Sequence, residues 1–573
     1  MSRVFGIDLG TTYSCIAYVD DYGKSVVIKN AEGANTTPSV VYFESLDNII
    51  VGEEAKNMLA AEPDFTVAFA KRRMGTDDED GNPFRFSIHG EKISPEEISA
   101  KILKKLVKDA NEELRSSGVI KDDETVSDVV ITCPAYFGMR EKAATKKAGE
   151  LADLNVLDII NEPTAAAINY GLLKNESKKN VMVYDLGGGT FDVTIIQING
   201  GDINVVYSDG DRHLGGKDWD EAVANYLAEE FEKTTGVDIN SDEESANDLM
   251  LKAENAKRSL SSKTTTKIAL SAEGKRTTVE LTREKFDSLT NHLLQSTIKK
   301  VDLCLENAQN GEFGVSLNNI DEILLVGGSS KMPQVANALS AKYSKPTSLF
   351  DPDEAVAKGA ASYAQVRQDY KLIINAIAER TGEAAETVEA KVNQGNVSIG
   401  DIAKSANIDV SKIGLAKMGG SSTAISQVKI SDSLSRSYGQ VLVESTNHDK
   451  MYVANFLFRG TKLPAEKEQL SCTVAEGQDG VMISIYESNT DKKKMELSEG
   501  KFLGEKLLSF GKPLPINTEI VTKLQMSNSG LLHMVATEAT TNSRVEADFI
   551  PSGGLSDDEL AAATSRALTE DVN

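Results

Sequence analysis

Phe5-Gly6-Ile7-Asp8-Leu9-Gly10-Thr11-Thr12-Tyr13 and Val183-Tyr184-Asp185-Leu186-Gly187-Gly188-Gly189-Thr190-Phe191-Asp192 carry one pattern twice: an apolar strand, an Asp, a glycine turn, a Thr and a second strand. Glycine lets such a turn aim successive N–H groups at an anion, the Thr hydroxyl adds a donor, and the Asp at the strand end faces whatever neutralises the anion. One glycine turn after a strand is usually a hairpin. Two that share the same Asp and Thr predict a duplicated lobe with a phosphate cradle on each copy, and a nucleotide with its magnesium between them. A P-loop is excluded, because the one Gly-Lys-Ser, at Gly23, has Tyr18 where the earlier glycine would have to stand.

A third glycine turn follows the apolar run Ile323-Leu324-Leu325-Val326, as Gly327-Gly328-Ser329-Ser330-Lys331-Met332-Pro333. Its strand is buried by composition and its turn opens toward a helix, so backbone can approach a flat ligand closely. In the helical stretch from Glu254 to Ser261, the spacing places Glu254, Lys257, Arg258 and Ser261 on one face. Such a stripe is ordinarily a solvated surface. Beside a nucleotide cradle it becomes a candidate adenosine wall.

The 573 residues suffice for several cores, and 40% hydrophobic with 6% aromatic residues is ordinary for globular domains. A net charge of −25 argues against nucleic acid and anionic membranes as main partners. Cys15, Cys133, Cys304 and Cys472 are widely separated, without a C-x-x-C motif, so each reads as a buried free thiol. No signal-peptide pattern and no apolar run near 18 residues occurs, and the expected location is a reducing cytoplasm.

Strands and helices alternate over residues 1–366, with helices over Glu141 to Leu151 and Asp218 to Lys233. Residues 367–428 lack proline and space their apolar residues as three short helices. The run from Ser398 to Ile413 faintly suggests a helix-turn-helix, but seven Lys and Arg against seven Asp and Glu over 367–428 leave no basic surface for DNA. A docking module or spacer is expected there. Over 429–550 the apolar residues alternate with period two: Leu470, Cys472, Val474; Val481, Ile483, Ile485; Leu524, Met526; Val545, Ala547, Phe549. That predicts an antiparallel β-sandwich. Residues 551–573 remain, with Ser556-Asp557-Asp558-Glu559 as a capped helix start.

With these segments in hand, the chain resembles the 70-kDa heat-shock chaperones, the DnaK-like proteins. The matching stretches are Gly6 to Cys15, Phe69-Ala70-Lys71-Arg72, Pro134-Ala135-Tyr136-Phe137, Ile159 to Ala167, the Asp185 cradle, His213-Leu214-Gly215-Gly216, Asp353-Glu354-Ala355-Val356 and Gly530-Leu531-Leu532-His533. The likeness is close over residues 1–366 and looser from about 435 to 556. It implies a two-lobed, actin-like α/β ATPase domain with a duplicated core, a short helical insertion, and a β-sandwich that binds extended, apolar segments of unfolded polypeptides in a cycle of ATP hydrolysis.

By that resemblance ATP or ADP, Mg2+ and K+ are the cofactors. Asp8, Glu162 and Asp185 would hold hydrated magnesium, and Lys71 would touch the γ-phosphate and orient the attacking water. Gly10, Thr11, Thr12 and Tyr13 would line the phosphates with Gly187, Gly188, Gly189, Gly215 and Gly216, while Thr190 and Asp192 would sit by the water. Adenosine would rest between Glu254, Lys257, Arg258, Ser261 and the Gly327-Gly328-Ser329 turn, with Lys331 and Asp353 at the pocket's edge. Loose alignment puts Val441, Val443, Val474, Val481, Ile483 and Ile520 around a peptide groove, although each taken singly suits a sandwich core.

The chain also departs from the family's pattern. The short acidic-aliphatic connector between the two domains is not found, and the helical lid is reduced to residues 551–573. Lys331 and Lys142 stand where the family usually has Arg, keeping the charge but losing the planar fork. Asp158 stands where bacterial relatives have an Arg that meets J-domain co-chaperones, so a J-domain contact is expected to be weakened; a nucleotide-exchange partner is implied as well. Two other readings stay open: a specialised module that binds ATP without productive cycling, and a sugar kinase or filament-forming actin relative sharing the cradle.

Overall fold

The computed structural model describes residues 3–174, 178–199, 202–394, 399–410, 413, 429–444, 447–527, 530–549 and 555–573. The duplication is visible in strand order. In the first lobe, Asn155–Asn161, Asp128–Cys133 and Val4–Asp8 run parallel, followed by antiparallel Tyr13–Val19 and Ser25–Val27. The second lobe repeats this with Thr347–Leu349, Glu322–Val326 and Lys179–Leu186 parallel, then Phe191–Asn199 and Asp202–Asp211 antiparallel. Asp8 and Asp185 therefore stand near the ends of equivalent central strands.

The lobes meet where the helices Glu162–Lys174 and Ala355–Thr381 cross through small residues. Ala165, Ala166, Ala167, Ala360 and Ala364 are buried in one cluster with Val4 of the first sheet and Val183 of the second. The approach is close enough that a Cβ at Gly359 would lie 1.8 Å from the Ala165 carbonyl oxygen.

Ala355–Thr381 continues past residue 366 and ends at Gly382, whose φ of 73° suits glycine. With Ala385–Gln394 and Ile399–Ser405 it supplies the three helical pieces expected from spacing, and Ile373, Ile377, Val388 and Ala403 bury a small core of their own. Residues 395–398, 411–412 and 414–428 of that stretch, which include part of the Ser398 to Ile413 run, lie outside the described residues.

The sandwich consists of a five-stranded sheet, Lys494–Met495, Asn447–Leu457, Ser437–Glu444, Gln478–Ser488 and Gly500–Leu514, facing a four-stranded sheet, Ala465–Cys472, Glu519–Met526, Leu532–Glu538 and Ser543–Phe549. Ile483, Ile485, Leu524, Met526 and Phe549 fill its core, as the alternation predicts. Leu470 and Cys472 are instead exposed, because they lie on an edge strand with their side chains turned outward.

Two segments take positions the sequence did not indicate. Lys429–Ser431, expected as the start of the sandwich, adds a parallel strand to Asp202–Asp211 at the edge of the second lobe's sheet. Asp432 follows it into the protein, accepting hydrogen bonds from Asn161 Nδ2 at 2.9 Å and from the Ser433 N–H at 2.9 Å. The segment that leads into the sandwich is thus docked against the two lobes. The sandwich seats against both lobes: Arg459 lies over the Tyr207 ring at 5.0 Å and donates to the Ser208 carbonyl, and Ser435 Oγ donates to the Phe137 carbonyl.

The last residues do not extend over the sandwich. The helix Asp557–Thr569 begins with the expected Ser556/Glu559 capping box, and Leu555, Ala563 and Val572 bury themselves in the core of the first lobe. Asp571–Val572 pairs parallel with Asn48–Val51. Arg566 Nη2 lies 2.6 Å from Glu97, and Glu570 joins Lys101 at 2.5 Å and Lys104 at 2.9 Å. The segment read as a lid remnant is a helix, and it clasps the first lobe. Residues 551–554 lie outside the described residues.

Candidate functional site

The two glycine turns face each other across a cavity of about 450 Å³. Their approach depends on missing side chains. A Cβ at Gly188 would fall 1.9 Å from Thr12 Oγ1, and one at Gly189 would fall 2.2 Å from Thr11 Cγ2. The cavity is lined by Asp8, Gly10, Thr11, Thr12, Tyr13, Lys71, Glu162, Asp185, Gly187, Gly188, Thr190, Glu254, Lys257, Arg258, Ser261, Gly327, Gly328, Ser329, Lys331 and Asp353, which brings together most of the expected nucleotide residues.

Gly189, Gly215, Gly216 and Asp192 are not in the lining. Gly189 and Gly215 pack on each other, since a Cβ at Gly215 would meet the Gly189 carbonyl carbon at 2.4 Å. Gly216 leaves room for Ser329 Oγ, and its carbonyl accepts from Lys257 Nζ at 2.9 Å. These three glycines shape the turn from behind. Asp192 is buried beside Gly210, and its Oδ1 has no hydrogen-bond partner among the described residues.

Lys71 is buried, and its ammonium donates to the Glu162 carboxylate and the Leu9 carbonyl. Burial opposes its charge, but Glu162 and Asp8 together hold the ammonium above its ordinary range. Burial, with Glu162 beside it, raises the Asp8 carboxyl to about 7. Asp185 is held well above its ordinary range by burial and by the Glu162 and Asp8 charges. Lys71 alone cannot balance the carboxyl groups of Asp8, Glu162 and Asp185, so this end of the cavity is short of positive charge.

That shortage and the orphaned donor fit a magnesium nucleotide. Thr12 Oγ1 is buried and has no hydrogen-bond partner among the described residues, and the turns leave backbone-lined space where phosphate would lie. Among the described residues no three His, Cys, Asp or Glu side chains could hold an ion by themselves. The fit is therefore to a hydrated ion shared with phosphate oxygens, as magnesium prefers.

At the other end, Lys56 Nζ donates to Tyr13 Oη at 2.9 Å and to Glu254 at 2.7 Å, tying the first lobe to the candidate adenosine wall. Lys257 pairs with Asp220 at 2.8 Å, and Lys331 pairs with Asp353. Burial raises Asp220 to about 6 despite that lysine. Thr36, Phe69, Lys217, Asp220, Met332, Pro352 and Val356 also line the cavity without having been singled out. Phe69 and Val356 belong to segments that carry the family likeness, Lys217 directly follows Gly215-Gly216, and Asp220 lies four residues beyond Gly216.

A family model described as "Hsp70 protein" matches residues 4–374. The chain belongs to the Hsp70 family. Among its relatives, the "Chaperone protein DnaK" of Thermosipho melanesiensis is 46% identical over 370 residues, which is 63% of this chain and 59% of that protein. The matched part thus spans well under two thirds of the relative's length.

The six expected peptide-site residues divide. Val441, Val443, Val474 and Val481 are half-buried. Ile483 and Ile520 are wholly inside the sandwich core with Leu524 and Met534, because their positions in the pleat face the opposite sheet. Those two cannot touch a peptide in this arrangement. Among the described residues no helix is long and apolar enough to cross a membrane.

Proposed function

We propose that this member of the Hsp70 family is an ATP-driven chaperone that binds extended apolar segments of unfolded polypeptides and couples that binding to ATP hydrolysis. The observation that carries the reading is the pair of opposed cradles with Asp8, Glu162, Asp185 and the buried Lys71 between them. Asp8, Glu162 and Asp185 would hold hydrated Mg2+, which when bound supplies charge neutralisation at the transferring phosphate. Thr11, Thr12 and the backbone of both turns would bind phosphate oxygens. Lys71, braced by the Leu9 carbonyl, would orient a water for attack, with Thr190 lining the same space and Asp192 behind it. K+ has only the family resemblance behind it.

Peptide binding is supported by the sandwich surface. Among the described residues, Met451, Leu470, Met482, Phe502, Leu507, Ile516 and Leu531 are large apolar side chains left exposed there. Met482 and Leu507 stand opposite each other on neighbouring strands. Exposed apolar surface of this kind suits an extended partner. We place the groove at Val441, Val443, Val474 and Val481, without Ile483 and Ile520. The sandwich seated on both lobes gives a sugar kinase or a filament protein no evident use, so those readings are set aside.

A J-domain co-chaperone and a nucleotide-exchange factor complete the proposed cycle. Asp158 is half-buried, accepting from Tyr363 Oη at 2.7 Å. A carboxylate at this position supports weak docking of a J-domain's acidic tripeptide. Free Cys15, Cys133, Cys304 and Cys472 support a reducing, cytoplasmic setting.

Lys71→Ala tests the reading directly. Single-turnover hydrolysis should fall about 100-fold or more while ATP affinity changes little, since the lysine acts mainly in the transition state. Near-normal hydrolysis would remove Lys71 from the reaction. Anisotropy of a fluorescent apolar peptide, with and without ATP, separates a coupled chaperone from a module that binds ATP without cycling.

A further inference from the structure

Phe69 has a left-handed backbone, φ 59° and ψ 24°, at the entrance to the single 3-10 turn Ala70–Arg73 that carries Lys71. A bulky side chain is costly there and persists only when its surroundings over-determine it. The surroundings come from the opposite lobe. Lys217 Nζ sits 4.8 Å from the centre of the Phe69 ring, and both side chains line the nucleotide cavity.

Lys217 is itself fixed to the second cradle. Its backbone N–H donates to the Gly188 carbonyl at 2.8 Å. Arg72, in the same short turn as Lys71, reaches across in the other direction: Nε donates to the Gly189 carbonyl at 2.7 Å, and Nη2 pairs with Asp218 at 3.0 Å. The turn that carries Lys71 is therefore gripped by the second lobe on both sides.

We propose that Phe69 and Lys217 form a clasp across the phosphate end of the cleft, and that Lys217 is a positioning residue for hydrolysis. When the lobes are closed, the ammonium on the ring holds Phe69 in its left-handed conformation, and that conformation fixes the direction of the turn and so the place of Lys71. When the lobes part, the ring loses its cation and the turn relaxes, which withdraws Lys71. Closure and the placement of Lys71 are one event. The inference rests on the ATPase reading for its kinetic consequence, but not for its structural one.

The test uses the full chain with Lys217→Met, Lys217→Arg and Phe69→Gly. Lys217→Met keeps the length and loses the cation; it should lower kcat about tenfold with KM for ATP unchanged within about twofold. Lys217→Arg keeps a cation over the ring and should restore kcat to within about twofold of the parent. Phe69→Gly adopts the left-handed backbone with neither ring nor cation, so in that background Lys217→Met should change kcat by less than about twofold. The second readout needs no hydrolysis: with a non-hydrolysable ATP analogue bound, the Arg72 and Met74 amides, which close the turn onto the Phe69 and Lys71 carbonyls, should exchange hydrogen faster in Lys217→Met than in the parent. Unchanged exchange at those amides overturns the clasp whatever the kinetics, as does an equal loss of kcat and ATP affinity that Arg does not rescue. A parent chain that binds ATP without hydrolysing it defeats the ATPase reading instead, and the exchange rates then decide the clasp.

Discussion

Replacing Glu570 by Gln tests whether the last residues are an integral part of the nucleotide domain. The Glu570 side chain is 2% exposed and that of Lys101 5% exposed, with their charged atoms 2.5 Å apart. Lys104 shares the same carboxylate at 2.9 Å, and burial already holds the Lys101 ammonium below its ordinary range. An exposed ion pair contributes about 0–1 kcal/mol, but removing one partner of a buried pair strands the other charge at about 3–5 kcal/mol. Gln can still accept one hydrogen bond, so the lower figure of about 3 kcal/mol applies, corresponding to a fall in Tm of about 6–12 °C for a large domain. The control is Glu150→Gln, which breaks the exposed pair with Lys147 and should stay within about 0.5 kcal/mol of the parent. Thermal unfolding of both variants beside the parent, at fixed nucleotide concentration, measures the difference. The double variant Lys101→Met, Glu570→Leu should recover much of the loss, because paired removal leaves no stranded charge in that contact. A Glu570→Gln chain that melts with the control would refute the tail's role in the first lobe.

The proposed magnesium site gives a pH dependence whose sign follows from Asp8, raised to about 7, and Asp185, also held well above its ordinary value. With folded values above the ordinary carboxyl value of about 3.9, the site's contribution to stability is complete below that pH and is lost as pH rises through about 7. A cation needs the ionised forms, so the Tm increase on adding Mg2+ with ADP should grow from pH 5.5 to pH 8, and a constant increment would contradict it. Gly188→Ala forces a methyl group against Thr12 and should weaken ATP binding by about tenfold or more, as seen by isothermal titration. Because the tail helix packs on the first lobe and not over the sandwich, peptide should leave within seconds even with ADP; stopped-flow release lasting many minutes would show that another segment closes the groove.

What could be read from the sequence was what is local or repeated. Asp8 to Tyr13 and Asp185 to Asp192 announce their chemistry because a phosphate turn needs its glycines, Asp and Thr within one short stretch, and the equivalent strand orders of the two lobes follow from the repeat. Period-two alternation located the sandwich core at Ile483 and Leu524 but also drew attention to Leu470 and Cys472, since alternation marks two faces and cannot say which face of an edge strand finds a partner sheet. The connector escaped for a similar reason. Lys429-Ile430-Ser431 is too short and too mixed in composition to read as a strand; it becomes one because Asp202–Asp211 offers it an open edge. The tail helix showed its cap at Ser556 but not its destination. An amphipathic helix states that it has a buried face, while the choice of the first lobe is made by Glu97, Lys101 and Lys104, more than 450 residues earlier in the chain. Phe69 lay inside a segment already recognised for Lys71, yet its left-handed backbone has no signature in residue type, since an aromatic there runs against preference. Where tertiary contact overrides local preference in this way, at a turn that aims a buried lysine, the override itself points to function, because the strain is retained at the cavity between the two cradles, and among the described non-glycine residues that line that cavity it occurs at Phe69 alone.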